Sequence, residues 1–127
     1  MASLHHIHIK TGDPHRSAAW WAETLGASVL PSFEAGGSLV APVEVGGVRI
    51  NLSRPGPADV AVTAPAPAVP HYGLEHLGLL VSDLEGILGR CEQQGLEIRL
   101  RRSTEEFEVG FVSSPDGVLL ELLESRA

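Results

Sequence analysis

His6-Ile7-His8-Ile9-Lys10-Thr11-Gly12-Asp13-Pro14 is answered seventy residues later by His76-Leu77-Gly78-Leu79-Leu80-Val81-Ser82-Asp83-Leu84. The same offset carries Gly47-Val48-Arg49-Ile50-Asn51-Leu52 onto Gly117-Val118-Leu119-Leu120-Glu121-Leu122. One displacement that superposes a His, an Asp, a Gly and an oxygen-bearing side chain marks two copies of one module. Were the copies to pack as pseudo-symmetric halves, His6, Asn51, His76 and Glu121 would converge. Two imidazoles, a carboxylate and a carboxamide form a donor set suited to a divalent ion.

Each copy repeats the same local grammar. Leu4 to Lys10 alternates in character and is rich in Ile, which predicts a strand with His6, His8 and Lys10 on one face. Asp13 suits an N-cap, Pro14 the first helical position and Gly26 the C-terminal stop. Ala18, Trp21, Ala22 and Leu25 supply the helical spacing between them. In the second copy Glu75 to Val81 reads as a strand. Ser82 with Glu85 forms a capping-box pattern, and Leu84, Ile87, Leu88 and Cys91 make a stripe closed by Gly95. Gly26 and Gly95 stand sixty-nine apart, so one residue differs between the helical regions. Strands are expected at Ala27 to Leu30, Ser38 to Val45 and Val48 to Ser53, with Gly46-Gly47 as a tight turn. Their counterparts are Glu97 to Arg101, Glu106 to Val112 and Val118 to Leu123, turned by Pro115-Asp116-Gly117. The domain organisation expected is a first module over 1–53, an Ala/Pro-rich linker over 54–70 and a second module over 71–127.

Composition bounds the function without naming it. The 127 residues suffice for a packed core, and the formal charge of −7 disfavours a nucleic-acid backbone or an anionic membrane as partner. A local basic patch stays open between Arg90 and Arg102 and at Arg49 and Arg54. No apolar run reaches membrane-spanning length, and Met1-Ala2-Ser3-Leu4-His5 has no signal-peptide grammar. The lone Cys91 fits a reducing compartment, so a cytoplasmic protein with a small-molecule partner is expected.

Two βαβββ modules, with a His on each first strand and an oxygen donor on each last strand, resemble the vicinal oxygen chelate superfamily. That group includes glyoxalase I, methylmalonyl-CoA epimerase, extradiol dioxygenases and the bleomycin and fosfomycin resistance proteins. The resemblance spans Leu4 to Glu124. Its most specific stretches are Leu4 to Gly26, Gly73 to Asp83 and Phe111-Val112-Ser113-Ser114-Pro115-Asp116-Gly117-Val118-Leu119-Leu120-Glu121, the last similar to the Phe-x-x-x-Pro-Asp-Gly ending that precedes a glutamate ligand. The fold it implies is α+β, two tandem modules forming an open eight-stranded cup, usually as a homodimer.

The resemblance implies metal ligands at His6, His76 and Glu121, with Asn51 where glyoxalases carry a glutamate and the epimerase a glutamine. The ion would be Zn, Ni, Co, Mn or Fe. Lys10 falls where glyoxalase I places an arginine that holds a substrate carboxylate. His8, on the same strand face as His6, is a candidate to support a ligating group or to carry a proton, with Glu121 as a catalytic carboxylate. Glu44, His71 and Tyr72 are weaker acid–base candidates, whereas Glu105, Glu106 and Glu108 read as a solvated edge. The first activity implied is a metal-dependent isomerase or lyase of the glyoxalase or epimerase type, acting through an enediolate or enolate. A non-haem Fe(II) extradiol-type dioxygenase and a non-catalytic drug- or metabolite-binding protein are the alternatives.

Overall fold

A computed structural model describes residues 1–56 and 70–127. It divides into two units, Met1–Thr63 and Ala64–Ala127. Most of the expected linker, residues 57–69, lies outside the described residues. Among the described residues, no helix is long and apolar enough to cross a membrane.

The first unit runs β1 (His6–Lys10), α1 (Pro14–Leu25), β2 (Ser28–Val29), β3 (Phe33–Ala35), β4 (Ser38–Val45) and β5 (Val48–Ser53). Its sheet has the order β1-β5-β4-β2, with β3 also paired to β4. Chain order and spatial order differ because β1 pairs in parallel with the last strand, placing His6 opposite Arg49, His8 opposite Asn51 and Lys10 opposite Ser53. Alternation then sends Ile7, Ile9, Ile50 and Leu52 to the other face, where Ile50 and Leu52 are fully buried. α1 packs on β4 and β5 and buries Ser17, Ala18, Trp20, Trp21 and Thr24. Both tryptophans are therefore core residues, their rings edge-to-face at 5.9 Å.

The second unit runs β6 (Leu77–Leu80), α2 (Leu84–Gln93), β7 (Ile98–Ser103), β8 (Phe107–Ser113) and β9 (Leu119–Ser125), with sheet order β6-β9-β8-β7. β6 again pairs in parallel with the last strand, Leu77 opposite Leu120 and Gly78 opposite Glu121. Both ladders are therefore in the same register. Even the bond beyond each strand repeats: Thr11 N–H to Ser53 O and Val81 N–H to Leu123 O are each 2.9 Å.

The single-residue difference is taken up at two places. Ala27 N–H reaches Trp21 O at 3.1 Å, whereas Leu96 N–H reaches Cys91 O at 3.0 Å, so the bond that closes the second helix spans one residue fewer. The count is restored at the last hairpin. Val45 pairs with Val48 across Gly46 and Gly47, both at positive φ as a two-residue turn requires. In the second unit Ser114 N–H bonds Val118 O at 2.8 Å across the longer Pro115-Asp116-Gly117 turn, where Gly117 supplies the positive φ.

Two details differ from the sequence reading. The described residues form nine strands rather than eight, because exposed Phe33–Ala35 pairs with β4 around Gly36-Gly37. The N-cap of α2 is Asp83, not Ser82; its carboxylate accepts from Gly86 N–H at 3.0 Å, as Asp13 accepts from Arg16 N–H in α1. A charged acceptor at the positive helix end outcompetes the hydroxyl one residue earlier. Glu85 is consequently released to pair with Arg101, while Glu124 of β9 accepts from Leu84 N–H at 2.9 Å. Cys91 is fully buried on α2, and burial pushes its thiol above the ordinary value against the opposing pull of Arg90.

α2 approaches β8 most closely at Gly110, where an added Cβ would lie 2.8 Å from Leu88 Cδ1. Leu88 is itself 2 % exposed and has little room to retreat. Gly110→Ala is expected to lose about 1–3 kcal/mol by overpacking. Urea denaturation should show this as a lower midpoint, partly restored by Leu88→Val.

Candidate functional site

The parallel ladders decide which side chains face together. In the first unit one sheet face carries His6, His8 and Lys10 from β1 beside Arg49, Asn51 and Ser53 from β5. In the second unit the matching face carries Gly78 beside Glu121, with His76 immediately before β6. Each candidate from the sequence therefore lies on the expected strand or at its mouth.

In the second unit His76 and Glu121 are neighbours, Nε2 to Oε1 at 3.3 Å, with Glu121 only 16 % exposed. The other ring nitrogen, Nδ1, lies 3.0 Å from Glu75 Oε1. Phe111, the register partner of Glu121, packs edge-on against the His76 ring at 5.3 Å and fixes its plane. Gly78 lies opposite Glu121, and an added Cβ there would make only ordinary contact with Oε1, at 3.7 Å. Arg102 approaches the second carboxylate oxygen at 3.6 Å.

This arrangement fits a divalent cation. Two donors each about 2.0–2.2 Å from one ion stand roughly 3.0–3.5 Å apart at octahedral or tetrahedral angles. A neutral imidazole has one N–H, so it can donate to only one of two flanking carboxylates. With Nδ1–H turned to Glu75, a cation on Nε2, either a proton or a metal ion, would satisfy the contact with Glu121. A carboxylate on the distal nitrogen is also the usual means of orienting a ligating histidine. Yet within either unit, among the described residues, no three His, Cys, Asp or Glu side chains form a metal-holding group. The second unit alone supplies two donors.

In the first unit His6 is exposed, its Nδ1 2.8 Å from that of His5, and its ring lies 6.1 Å from that of His8. His8 Nε2 meets Ser53 Oγ at 2.6 Å, and Ser53 is 1 % exposed. Asn51 is buried, and its Oδ1, the atom a metal would use, accepts a hydrogen bond from Arg49 Nε at 3.0 Å. Lys10 Nζ donates to the Arg54 carbonyl at 3.5 Å. Among the weaker candidates, Glu44 is the register partner of Arg49 on β4, His71 contacts the Leu74 carbonyl and Tyr72 is exposed. A cavity of about 590 Å³ beside the start of α1, lined by Asp13, His15 and Arg54 among others, includes none of the predicted site residues.

Sequence reasoning missed four participants. Ser53 and Glu75 give no signal except as neighbours of candidates. Arg49 registered only as part of a diffuse basic patch. Arg102 is six residues into a charged run, and only the pairing of β7, β8 and β9 brings it to Glu121.

The chain belongs to the Glyoxalase/Bleomycin resistance protein/Dioxygenase superfamily, whose model matches residues 3–122. No curated protein matches the chain by sequence. Its fold is similar to that of a glyoxalase family protein from Bacillus cereus, at 18% identity and a TM-score of 0.79 over 100% of this chain and 96% of that one. It is also similar to a variant of the fosfomycin resistance protein FosX from Listeria monocytogenes, at 17% identity and TM-score 0.74 over 98% and 93% of the two chains. That structure holds Mn(II) and 1S,2S-dihydroxypropylphosphonic acid. An antibiotic binding protein from a Streptomyces species is similar at 16% identity and TM-score 0.68, over 98% and 97%. At these identities the likeness establishes the fold.

The contact of His8 with buried Ser53 orients the imidazole. Ser53→Ala is expected to reduce stability by about 1 kcal/mol. In imidazole-detected ¹⁵N NMR the His8 Nε2 resonance should move while His76 keeps its own; an unmoved His8 signal would mean that Ser53 does not hold the ring.

Proposed function

We propose that this chain is a metal-dependent isomerase or lyase of the glyoxalase and epimerase kind, acting on a small substrate that presents two neighbouring oxygens. The observation that supports this reading is the His76–Glu121 approach at 3.3 Å with Glu75 behind the ring. His6 is proposed as the second imidazole ligand. Asn51 is the weakest of the four proposed ligands, because its Oδ1 already serves Arg49. A divalent ion held there would polarise the substrate oxygens and acidify an adjacent C–H. His8, held by Ser53, would carry the proton, Glu121 would contribute negative charge beside the reacting atoms, and Lys10 would face an anionic substituent.

FosX, with its Mn(II) and phosphonate, supports a metal in this fold, and the antibiotic binding protein supports sequestration as a second reading. One observation favours that second reading: the Arg49–Asn51 contact puts a guanidinium beside a position where glyoxalases carry a carboxylate.

Metal analysis and calorimetry separate the two. Wild type is expected to retain a divalent ion after purification, while Glu121→Gln and His76→Ala lose it. Glu75→Gln should weaken affinity about 10–100-fold by loosening the ligand it orients. Metal-loaded enzyme should then exchange solvent deuterium into one substrate of a panel of 2-oxo hemithioacetals and acyl thioesters. Metal binding that is absent from wild type, or indifferent to His76→Ala, removes the enzyme reading and leaves sequestration.

A further inference from the structure

Arg49 is held in place, yet among the described residues it has no counter-charge. The other strand arginines with assigned partners each meet a carboxylate: Arg99 meets Glu97 at 3.3 Å, Arg102 meets Glu121 at 3.6 Å, and Arg101 pairs with Glu85. Arg126, just past β9, likewise meets Glu108 at 3.2 Å. Arg49 instead donates through Nε to Asn51 Oδ1 at 3.0 Å, and its Cζ sits 5.5 Å from the centroid of Phe33. Glu44 is its register partner across β4 and β5, yet the two form no ion pair.

These contacts have a specific chemical consequence. An amide oxygen and an aromatic face orient a guanidinium without neutralising it. Use of Nε by Asn51 sets the plane of the group. The two terminal nitrogens then remain as a fork whose spacing matches the two oxygens of a carboxylate, phosphate or phosphonate. Asn51 is 8 % exposed, so this positioning is built from a buried side chain and not from two mobile surface groups. In a chain of net charge −7, with acidic residues in excess, leaving this arginine unmatched is a departure from how the other strand arginines are used.

We infer that Arg49 is an oxyanion-reading residue: the guanidinium, set by Asn51 and Phe33, takes an anionic carboxylate, phosphate or phosphonate group of the ligand. This deepens the proposed function by assigning the charge of the substrate, and rests on it only for the word substrate, since the anion contact needs no metal. It also gives Asn51 a purpose as the positioning group for Arg49. β3, the strand that the sequence concealed, contributes Phe33 beneath the guanidinium.

The test uses the full chain stripped of metal and titrated with inorganic phosphate, methylphosphonate or acetate, with chloride at matched ionic strength as the control. The readout is the Arg49 Nε–Hε cross-peak in ¹H–¹⁵N NMR, assigned by its loss in Arg49→Lys, and, in every variant, the backbone amide cross-peaks of Phe33, Val48 and Ile50, which remain when Arg49 is replaced. A saturable shift is expected with at least one oxyanion and not with chloride. Arg49→Gln should raise the half-saturation concentration about tenfold or more, the loss of one charge-assisted contact. Arg101→Gln, already matched by Glu85, should leave it within about twofold. Acetate binding in preference to phosphate and methylphosphonate assigns a carboxylate ligand, and the reverse assigns a phosphoryl or phosphonyl one. Asn51→Ala, which keeps the charge but frees its orientation, should weaken binding to an intermediate degree and keeps the question open to test if Arg49→Gln fails to fold. No saturable shift, or equal half-saturation in wild type and Arg49→Gln, overturns the inference. Because the protein is metal-free, this result is independent of whether divalent ions bind at His76 and Glu121.

Discussion

The parallel ladder between the first and last strand of each unit is the constraint on which the rest depends. Without it, His8 and Asn51 would be forty-three residues apart with no reason to meet, as would Gly78 and Glu121. A shift of one residue would turn the polar set inward and send Ile50 and Leu52, or Leu120 and Leu122, to the opposite face. Those leucines and isoleucines are among the most completely buried side chains of the molecule. The register that exposes the chemistry is thus held by the hydrophobic core on the reverse side of the same strands. Position and function are coupled through a period of two.

Within that shared frame the two units have diverged in charge. His8 occupies the place that Gly78 fills in the second copy, Arg49 corresponds to Leu119, and Asn51 to Glu121. The glycine lies opposite a carboxylate, which reaches the imidazole before β6. The first unit fills the same position with an imidazole and binds it to a buried hydroxyl. One face therefore gathers carboxylates around a histidine, and the other gathers a guanidinium and an amide. Duplication followed by such substitution lets one backbone geometry present a carboxylate-rich cluster and one centred on a guanidinium.

Much of this was legible because the repeat encodes register directly. An offset of seventy aligns residues only if both ladders pair alike, so strand identity, facing and the Asp13 cap follow from counting. The one-residue discrepancy was visible too, between Gly26 and Gly95, although its restoration in the longer Pro115-Asp116-Gly117 turn required the hydrogen bonds. β3 was hidden because Phe33-Glu34-Ala35 is short, exposed and lacks alternation, leaving only Gly36-Gly37 to suggest a turn. Ser82 and Asp83 were both competent caps by type, and the choice between them is a matter of local electrostatics. The site residues found from sequence were those with conspicuous chemistry; Ser53, Glu75 and Arg49 act by orientation, which a residue letter does not record.

Arg49 shows how a neighbour on the same strand changes what a side chain at a family position can do. The resemblance assigned Asn51 a place among metal donors, and its oxygen does point to a positive partner, but that partner belongs to the same strand. A carboxylate there would have paired fully with Arg49 and cancelled its charge. The neutral amide orients the guanidinium while leaving the charge intact, a distinction of about one elementary charge at roughly 3–4 Å, worth about 4 kcal/mol at an effective dielectric near 20. Exchange of glutamate for asparagine therefore alters more than the strength of one potential metal bond. It changes which sign of group the first unit is prepared to receive.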